Sequence, residues 1–232
     1  MSWHYIDTAS LVWSNDATTS NSNQIDNATE MWNFFRYNGY SEQAISAIIG
    51  NAQYESTLNP AQWEYGGYVG NMSQGYGLFQ WTPATRYINT FCGTYGYDRK
   101  EGHYQCAWVQ TQTIGGLDGN QWSGVVPPYA WGTFKTSQES PSNLAYAFCR
   151  NWERGGWNNL RATNAEYWYS YFTGTPTPPD PPEPPGPPDP PEPPTPIYGS
   201  RTIPVWLMVK IIQDKQQSNG KKLIDKGYYM KW

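Results

Sequence analysis

Residues 41–60 read SEQAISAIIGNAQYESTLNP, and this stretch is the most clearly patterned part of the chain. Ser41 can accept a hydrogen bond from the first helical turn, and Tyr40 before it can pack on Ile45, as at a capped helix start. The apolar residues of the stretch repeat at helical spacing and share one face: Ala44, Ile45, Ile48, Ile49 and Ala52. Because a residue before proline is pushed towards extended geometry, the helix should end close to Asn59. The pattern predicts a helix with one buried face.

Glu55 lies on the apolar face of this predicted helix, in its last turn. Burial disfavours an ionised carboxyl, and the negative end of the helix dipole disfavours it further. We therefore expect Glu55 to keep a proton near neutral pH, as a general acid must. The alternative is a satisfied interior acid, bonded to a nearby backbone group or to Arg36.

Other helices are predicted from apolar periodicity on either side of this element. The first is expected at about 28–37 with Met31, Trp32 and Phe35 inward, and it should pack across the 41–60 helix. Two more are expected at 141–152 and 165–172, the former with inward Leu144, Ala145 and Phe148.

The segment GYGLFQW at 75–81 contains two glycines that permit tight backbone approach. Thr82 and Pro83 follow and mark a helix start, with a helix reaching about Phe91. The region 92–136 is rich in Gly, Gln and Trp, and we expect loops with short helical pieces there. The predicted fold class is α+β, a mainly α-helical domain with a small β portion.

Residues 175–196 hold 14 of the 20 prolines of the chain and cannot form a core. Repeated proline favours a stiff polyproline II rod, so a spacer is expected, and a ligand for a proline-recognising domain is the alternative. The predicted organisation is an N-terminal extension at 1–27, a folded domain at 28–174, this linker at 175–196 and a C-terminal segment at 197–232.

The C-terminal segment, residues 197–232, differs from the rest of the chain in charge. It carries 7 basic and 2 acidic side chains and the apolar run VWLMVKII at 205–212. A segment this short rarely folds without help, so we expect it to anchor the chain to a partner protein. The alternative is a chain end without a role.

Several classes of function are disfavoured by composition. The formal net charge of −4 offers no basic surface for nucleic acid, and no stretch approaches the roughly 20 apolar residues of a membrane span. Residues 1–15 lack the pattern of a signal peptide. Three cysteines and two histidines at distant positions leave no metal site with zinc-ligand spacing, so no cofactor is expected. Cys92 and Cys106 could form a disulfide or remain as buried thiols.

Aromatic side chains make up 17% of the residues, whereas Lys, Arg, Asp and Glu together reach 15%. A protonated carboxylic acid that donates to a leaving oxygen is what glycoside cleavage requires. Trp and Tyr rings and side-chain amides suit the binding of a sugar. The composition and Glu55 together favour chemistry on a carbohydrate.

Four segments in order along the chain resemble the phage tail lysozymes, peptidoglycan-cutting domains with a lysozyme-like fold. They are GNAQYESTLNP at 50–60, GYGLFQWTPATRYIN at 75–89, NWERGG at 151–156 and AEYWY at 165–169. The resemblance covers about residues 29–174. It implies that Glu55 is the catalytic acid and that Gln80 lines the cleft.

The resemblance also guides the reading of nearby residues. Further substrate-binding candidates are the rings of Tyr76, Trp63 and Trp81. Glu153 and Arg154 lie in the third segment, where a structural salt bridge is expected. Related tail proteins can carry a metallopeptidase after the linker, but residues 197–232 contain no His, so that activity is not implied.

The second carboxylate of the reaction is less well defined. Glu64 is the candidate by position, although it could equally be a solvated turn residue. Without such a partner, the acetamido or 6-hydroxyl group of the substrate could take its place, and the latter would make the enzyme a lytic transglycosylase.

The function implied by the resemblance is that of a virion-associated muramidase at the phage tail tip, which opens the host cell wall during genome delivery. Its expected partners are peptidoglycan and, through residues 197–232, other tail proteins, with neither nucleic acid nor a membrane span. The alternatives are an endolysin that acts at host lysis and a sugar-binding structural component without activity.

Overall fold

The computed structural model describes residues 3–110 and 121–174, and the fold within them is mainly helical. The predicted linker at 175–196 and the C-terminal segment at 197–232 lie outside the described residues. The described residues form seven α-helices: α1 (Ser22–Tyr37), α2 (Glu42–Ser56), α3 (Gly93–Tyr95), α4 (Gly102–Gln110), α5 (Trp131–Thr136), α6 (Pro141–Phe148) and α7 (Asn159–Thr173). Two π-helices, π1 (Arg86–Cys92) and π2 (Cys149–Glu153), and a 3-10 turn at Ala17–Thr19 complete the set.

The central helix is α2, which packs against α1, α6 and α7. The side chain of Ser41 accepts a hydrogen bond from the backbone N–H of Ala44, as the sequence predicts for the N-cap. The predicted apolar face is fully buried. The helix ends at Ser56 because Thr57 takes the left-handed conformation, with φ of 57°. The helix predicted from residues 41–60 is therefore confirmed.

Helix α7 approaches α2 closely at Gly50. A Cβ atom at this position would lie 2.6 Å from the backbone nitrogen of Ala165 and 2.8 Å from the carbonyl oxygen of Arg161. Both of these atoms belong to the backbone of α7, which cannot move aside as a flexible side chain could. The absent side chain of Gly50 therefore sets the separation of the two helices that carry the candidate site.

The other predicted helices are present with longer or altered bounds. The helix predicted at 28–37 begins earlier, at Ser22, where Asn21 and Gln24 form a capping box. The helix predicted at 165–172 also begins earlier, at Asn159. The predicted helix after Pro83 is mostly the π-helix π1, and that predicted at 141–152 is α6 continued by π2.

The expected small β portion is not confirmed. Within the described residues, strand pairing is limited to two isolated bridges, a parallel one between Thr8 and Gln62 and an antiparallel one between Trp63 and Tyr76. The glycine- and tyrosine-rich loop between them is held by side-chain and turn hydrogen bonds, which take the place of a strand ladder. The described domain is therefore helical, with bridges where a small sheet was expected.

Residues 3–21 pack on the helical domain. Asn59 donates to the carbonyl of Ile6 at 2.7 Å, and Asn164 of α7 accepts from the N–H of Ala17 at 2.9 Å. Asp7 forms an ion pair with Arg99 at 2.6 Å. The N-terminal segment thus ties together parts of the domain that are distant in sequence, and whether 1–27 is a separate extension stays a prediction.

The three cysteines are free and buried, so the alternative of buried thiols is confirmed over a disulfide between Cys92 and Cys106. Burial raises the pKa of the Cys92 thiol to about 11. Such thiols are neutral and weakly nucleophilic at physiological pH. They fill space in the core.

Candidate active site

A cleft of about 390 Å³ opens beside the C-terminal end of α2. Its walls come from α2, from the loop that follows it, from the segment before π1 and from the end of π2. The lining residues are Glu55, Glu64, Tyr65, Phe79, Gln80, Thr82, Glu153 and Gly155. Three carboxyl groups therefore face one cleft.

Glu55 lies at the mouth of this cleft in the last turn of α2, where the sequence predicts it. Its side chain is 22% exposed, so a substrate can reach the carboxyl. One carboxylate oxygen forms an ion pair with Nη2 of Arg161. The expected partner Arg36 instead lies 4.0 Å from Glu42, in an exposed pair at the surface.

Arg161 extends from α7 into the base of the site, and its side chain is only 2% exposed. Its Nη1 donates to Oδ1 of Asn51 at 2.8 Å and to a carboxylate oxygen of Glu153. The ring of Tyr54 lies under the guanidinium, 4.3 Å from its central carbon. Burial by itself would lower the pKa of Arg161, but Glu153 and Glu55 outweigh it and raise the pKa further. The guanidinium is therefore a permanent, fixed cation.

Glu153 ends π2 and lies behind Glu55, with its side chain 4% exposed. Burial is the main cause that raises the pKa of Glu153, and the nearby Glu55 carboxyl raises it further. Arg161 lowers it, but the pKa of Glu153 is still raised to about 8. The salt bridge expected for this segment is present, but the partner of Glu153 is Arg161. Arg154 instead donates to Oε1 of Gln121 at 2.9 Å.

Gln80 lies in the cleft wall, as the resemblance implies, with its amide engaged by the backbone. Its Nε2 donates to the carbonyls of Gln62 at 3.1 Å and Gly77 at 3.0 Å. A Cβ atom on Gly75 would lie 2.7 Å from Oε1 of Gln80, so any larger residue at 75 would push the Gln80 amide from this position. The amide of Gln80 is therefore held in one orientation at the cleft surface.

Glu64 lies at the base of the loop 64–75 and lines the same cleft as Glu153. Its carboxylate accepts from the N–H of Gly75 at 2.9 Å and from Nε2 of Gln74 at 3.4 Å. The backbone N–H of Glu64 also donates to the carbonyl of Gly75 at 2.9 Å. The side chain thus closes a loop while facing the cleft, and its role as second carboxylate stays a prediction.

The rings of Trp63, Tyr76 and Trp81 are buried and are not among the cleft-lining residues. Arg99 lies over the rings of Trp63 and Tyr76, at 5.3 Å and 5.1 Å from their centroids. Trp81 stacks on Tyr87 with a centroid separation of 4.7 Å. Because buried rings cannot stack on a sugar, direct substrate contact by these three residues is not supported.

Non-glycine residues with left-handed backbone conformations surround the cleft. They follow Glu55, occupy the cleft wall or follow Glu153: Thr57, Leu58, Gln80 and Arg154 have φ of 57°, 62°, 48° and 56°. Such conformations cost free energy and persist where the surrounding structure enforces them, often at functional sites. Their positions beside Glu55, at Gln80 and beside Glu153 agree with a functional site at this cleft.

The site contains residues that the sequence analysis did not single out. Arg161 and Asn51 complete the base of the site, and Tyr65 presents an exposed ring in the cleft lining. The four-segment resemblance already included Asn51 in the first segment and Glu153 in the third. No local signal marks Arg161, which lies between the third and fourth segments.

A metal site is not formed by the described residues, in which no cluster of three or more His, Cys, Asp or Glu side chains could hold an ion. No helix in the described part of the chain has the length and apolar character of a membrane span. The cleft places two carboxyl groups of different exposure beside one guanidinium, an arrangement suited to acid–base chemistry.

Comparison with known proteins agrees with the sequence motifs. A family model described as phage tail lysozyme matches residues 26–172. Morphogenesis protein 1 of Bacillus phage B103 is 34% identical over 167 residues, which are 71% of this chain and 44% of that protein. The chain thus spans less than half the length of this curated relative. The family-model match, residues 26–172, includes every residue that lines the cleft.

Proposed function

Because the chain belongs to the phage tail lysozyme family, we propose that it is a virion-associated peptidoglycan hydrolase of the N-acetylmuramidase type, with Glu55 as its general acid. The family supports a lysozyme-like activity. The muramidase bond specificity and the role of Glu55 are our proposals. Peptidoglycan is the proposed substrate.

The observation that carries this proposal is the placement of Glu55. Its carboxyl is partly exposed at a cleft, in contact with a buried carboxyl and a buried guanidinium. Environments that differ this strongly between neighbouring carboxyls are typical of acid–base catalysis. A protein that only bound sugar would have no need of such an arrangement.

In the proposed reaction, protonated Glu55 donates its proton to the glycosidic oxygen while the bond from that oxygen to the anomeric carbon breaks. The anomeric carbon then carries positive charge and is attacked by water. Water attacks either directly, with help from Glu64, or after the acetamido group of the substrate has bonded to the anomeric carbon. The product has a free reducing end. We propose Glu64 for this role because it lines the same cleft as Glu55.

Mass analysis of the products tests this function. The full chain is incubated with purified peptidoglycan, and we expect soluble muropeptides that end in reducing N-acetylmuramic acid. Anhydro-muramic ends would instead show attack by the 6-hydroxyl and make the enzyme a transglycosylase. Intact glycan after prolonged incubation would favour the binding-only alternative.

The ring of Tyr65 offers a sugar platform in the cleft, because it lines the cleft and remains 70% exposed. We expect Tyr65→Ala to raise KM about three- to tenfold and to leave kcat nearly unchanged, because an apolar binding surface is lost without a change in the acid. The measurement is initial rate against concentration of a soluble glycan fragment.

Tyr37→Ala provides the matched control for this variant. Tyr37 is similarly exposed at the end of α1 and does not line the cleft. We expect its KM to equal that of the wild type. Equal KM values for Tyr65→Ala and wild type would contradict the platform.

We also propose the location of this activity. The family and the relative named a morphogenesis protein support association with the virion. Placement at the tail tip, and docking to other tail proteins through residues 197–232, are proposals based on the positive charge and the apolar run of that segment. The proline-rich residues 175–196 would then separate the catalytic domain from its anchor.

A further inference from the structure

Glu55 and Glu153 share one guanidinium, and this poses a problem for the proposed acid. An arginine beside a carboxyl favours the ionised form, so Arg161 opposes the protonated form that a general acid needs. An acid without its proton cannot donate to a glycosidic oxygen. Some other group must therefore counteract the effect of Arg161 on the Glu55 carboxyl.

We infer that Glu153 is this group. It acts as a positioning residue that shares one proton with Glu55 and keeps that proton available for catalysis at neutral pH. The inference rests on the proposed function, because it assigns Glu153 a part in the reaction that Glu55 performs. Glu153 acts through Glu55 and Arg161 and does not contact the sugar itself.

The geometry supports this inference through charge balance. Nη1 of Arg161 bonds Glu153 and Nη2 bonds Glu55, so one positive charge faces two carboxyls. If both carboxyls were ionised, one negative charge would be uncompensated in a place where Glu153 and Arg161 are almost completely buried. One shared proton makes the cluster neutral.

Hydrogen bonding points the same way. Oε1 of Glu153 is buried and has no hydrogen-bond donor among the residues that the structure describes. The Glu55 carboxyl beside it can only accept when ionised, so a bond between the two carboxyls requires a proton. The pair resembles other carboxylate dyads in which one proton is held between two like charges.

The other titratable groups around Glu153 do not supply the missing charge. Burial raises the pKa of the Cys149 thiol to about 11, so it stays neutral. Glu64, which lines the same cleft, has no positive charge to offer, and Arg154 is bonded to Gln121. Asn51 is uncharged and accepts from Arg161. The raised pKa of Glu153, about 8, is the expected result of these surroundings.

The proton count closes over one reaction cycle. The shared proton moves to Glu55, which gives it to the leaving oxygen, and both carboxyls are then ionised with Arg161 between them. The water that attacks the sugar loses a proton as its oxygen bonds to the anomeric carbon. That proton returns the pair to its singly protonated state.

The pH dependence of activity tests the shared proton. For the wild type, we expect activity to fall as pH rises through about 8, because the pair then loses its proton. In Glu153→Gln, Arg161 faces a single carboxyl, so the fall should move to lower pH by roughly one to three units. Activity at pH 5 should stay within about tenfold of the wild type.

Glu139→Gln serves as the matched control, because Glu139 is exposed and does not line the cleft. Its pH profile should follow that of the wild type. A folded Glu153→Gln protein whose profile also follows the wild type would overturn the inference.

A second measurement does not depend on the folding of Glu153→Gln. Carbon-13 NMR of the side-chain carboxyls in the full wild-type chain should show a titration near pH 8 for Glu153, which moves to lower pH in Glu55→Gln. Titration of Glu153 below pH 5 in the wild type would overturn the inference. If Glu55→Gln remains active, the proposed function fails; if it is inactive while the Glu153→Gln profile is unchanged, only the shared proton fails.

Discussion

Replacing Glu55 by glutamine is expected to lower the rate of peptidoglycan cleavage by about 10²–10⁴-fold at every pH, the range that a general acid typically contributes. Glutamine has nearly the same shape, and its amide oxygen can still accept from Arg161. It has no acidic proton to give to the glycosidic oxygen. The measurement is clearing of purified cell walls together with muropeptide release.

Folding of Glu55→Gln is checked by circular dichroism and thermal unfolding, with Glu139→Gln as the surface control. We expect both variants to unfold close to the wild-type temperature, because Glu55 is partly exposed and keeps one partner. A folded Glu55→Gln protein that clears walls at the wild-type rate would refute the assignment of the acid.

Gly50→Ala is expected to lower the free energy of unfolding by about 1–3 kcal/mol and to lower activity by more than tenfold. The added methyl group would overlap backbone atoms of α7 at 2.6 Å and 2.8 Å, so the helices must separate. Separation moves Arg161 away from Glu55 and Glu153. The gain in helix propensity from alanine, about 1 kcal/mol, is smaller than the cost of the overlap.

Gly132→Ala is the control for this variant, because a Cβ atom at Gly132 in α5 meets nothing within 4 Å. We expect it to be as stable as the wild type or slightly more stable. Urea unfolding of the full chain measures both effects. A Gly50→Ala protein with wild-type stability and activity would show that the α2–α7 separation is not critical.

The central helix and the position of Glu55 could be predicted because their signals are local. The cap at Ser41, the apolar repeat and Pro60 all lie within one short stretch. Each of them reports on the backbone in its own neighbourhood. The same local signals predict the other helices. They do not predict where α1 and α7 begin, at Ser22 and Asn159, because polar first turns carry no apolar repeat.

The partner of Glu55 could not be predicted in this way. Arg161 is 106 residues further along the chain, and nothing in its own surroundings indicates which helix it will face. The sequence also suggests pairing between the neighbours Glu153 and Arg154. The left-handed turn at Arg154, with φ of 56°, directs that side chain elsewhere and leaves Glu153 to α7.

The aromatic residues show a different limit. Composition indicates many rings but not whether they fill the core or line a cleft. The domain has few large aliphatic side chains, so Trp63, Tyr76 and Trp81 are used as core, and the exposed ring at the cleft is Tyr65. Only the fold distinguishes the two uses.

The distance in sequence between α2 and α7 also has a consequence for synthesis. Glu55 leaves the ribosome more than a hundred residues before Arg161, and contacts of such long range form late in folding. Until α7 docks at Gly50, the cluster of Glu55, Glu153 and Arg161 does not exist. A nascent chain would therefore carry the proposed acid before its partners exist, and we expect the proposed activity only after the whole helical domain has been made.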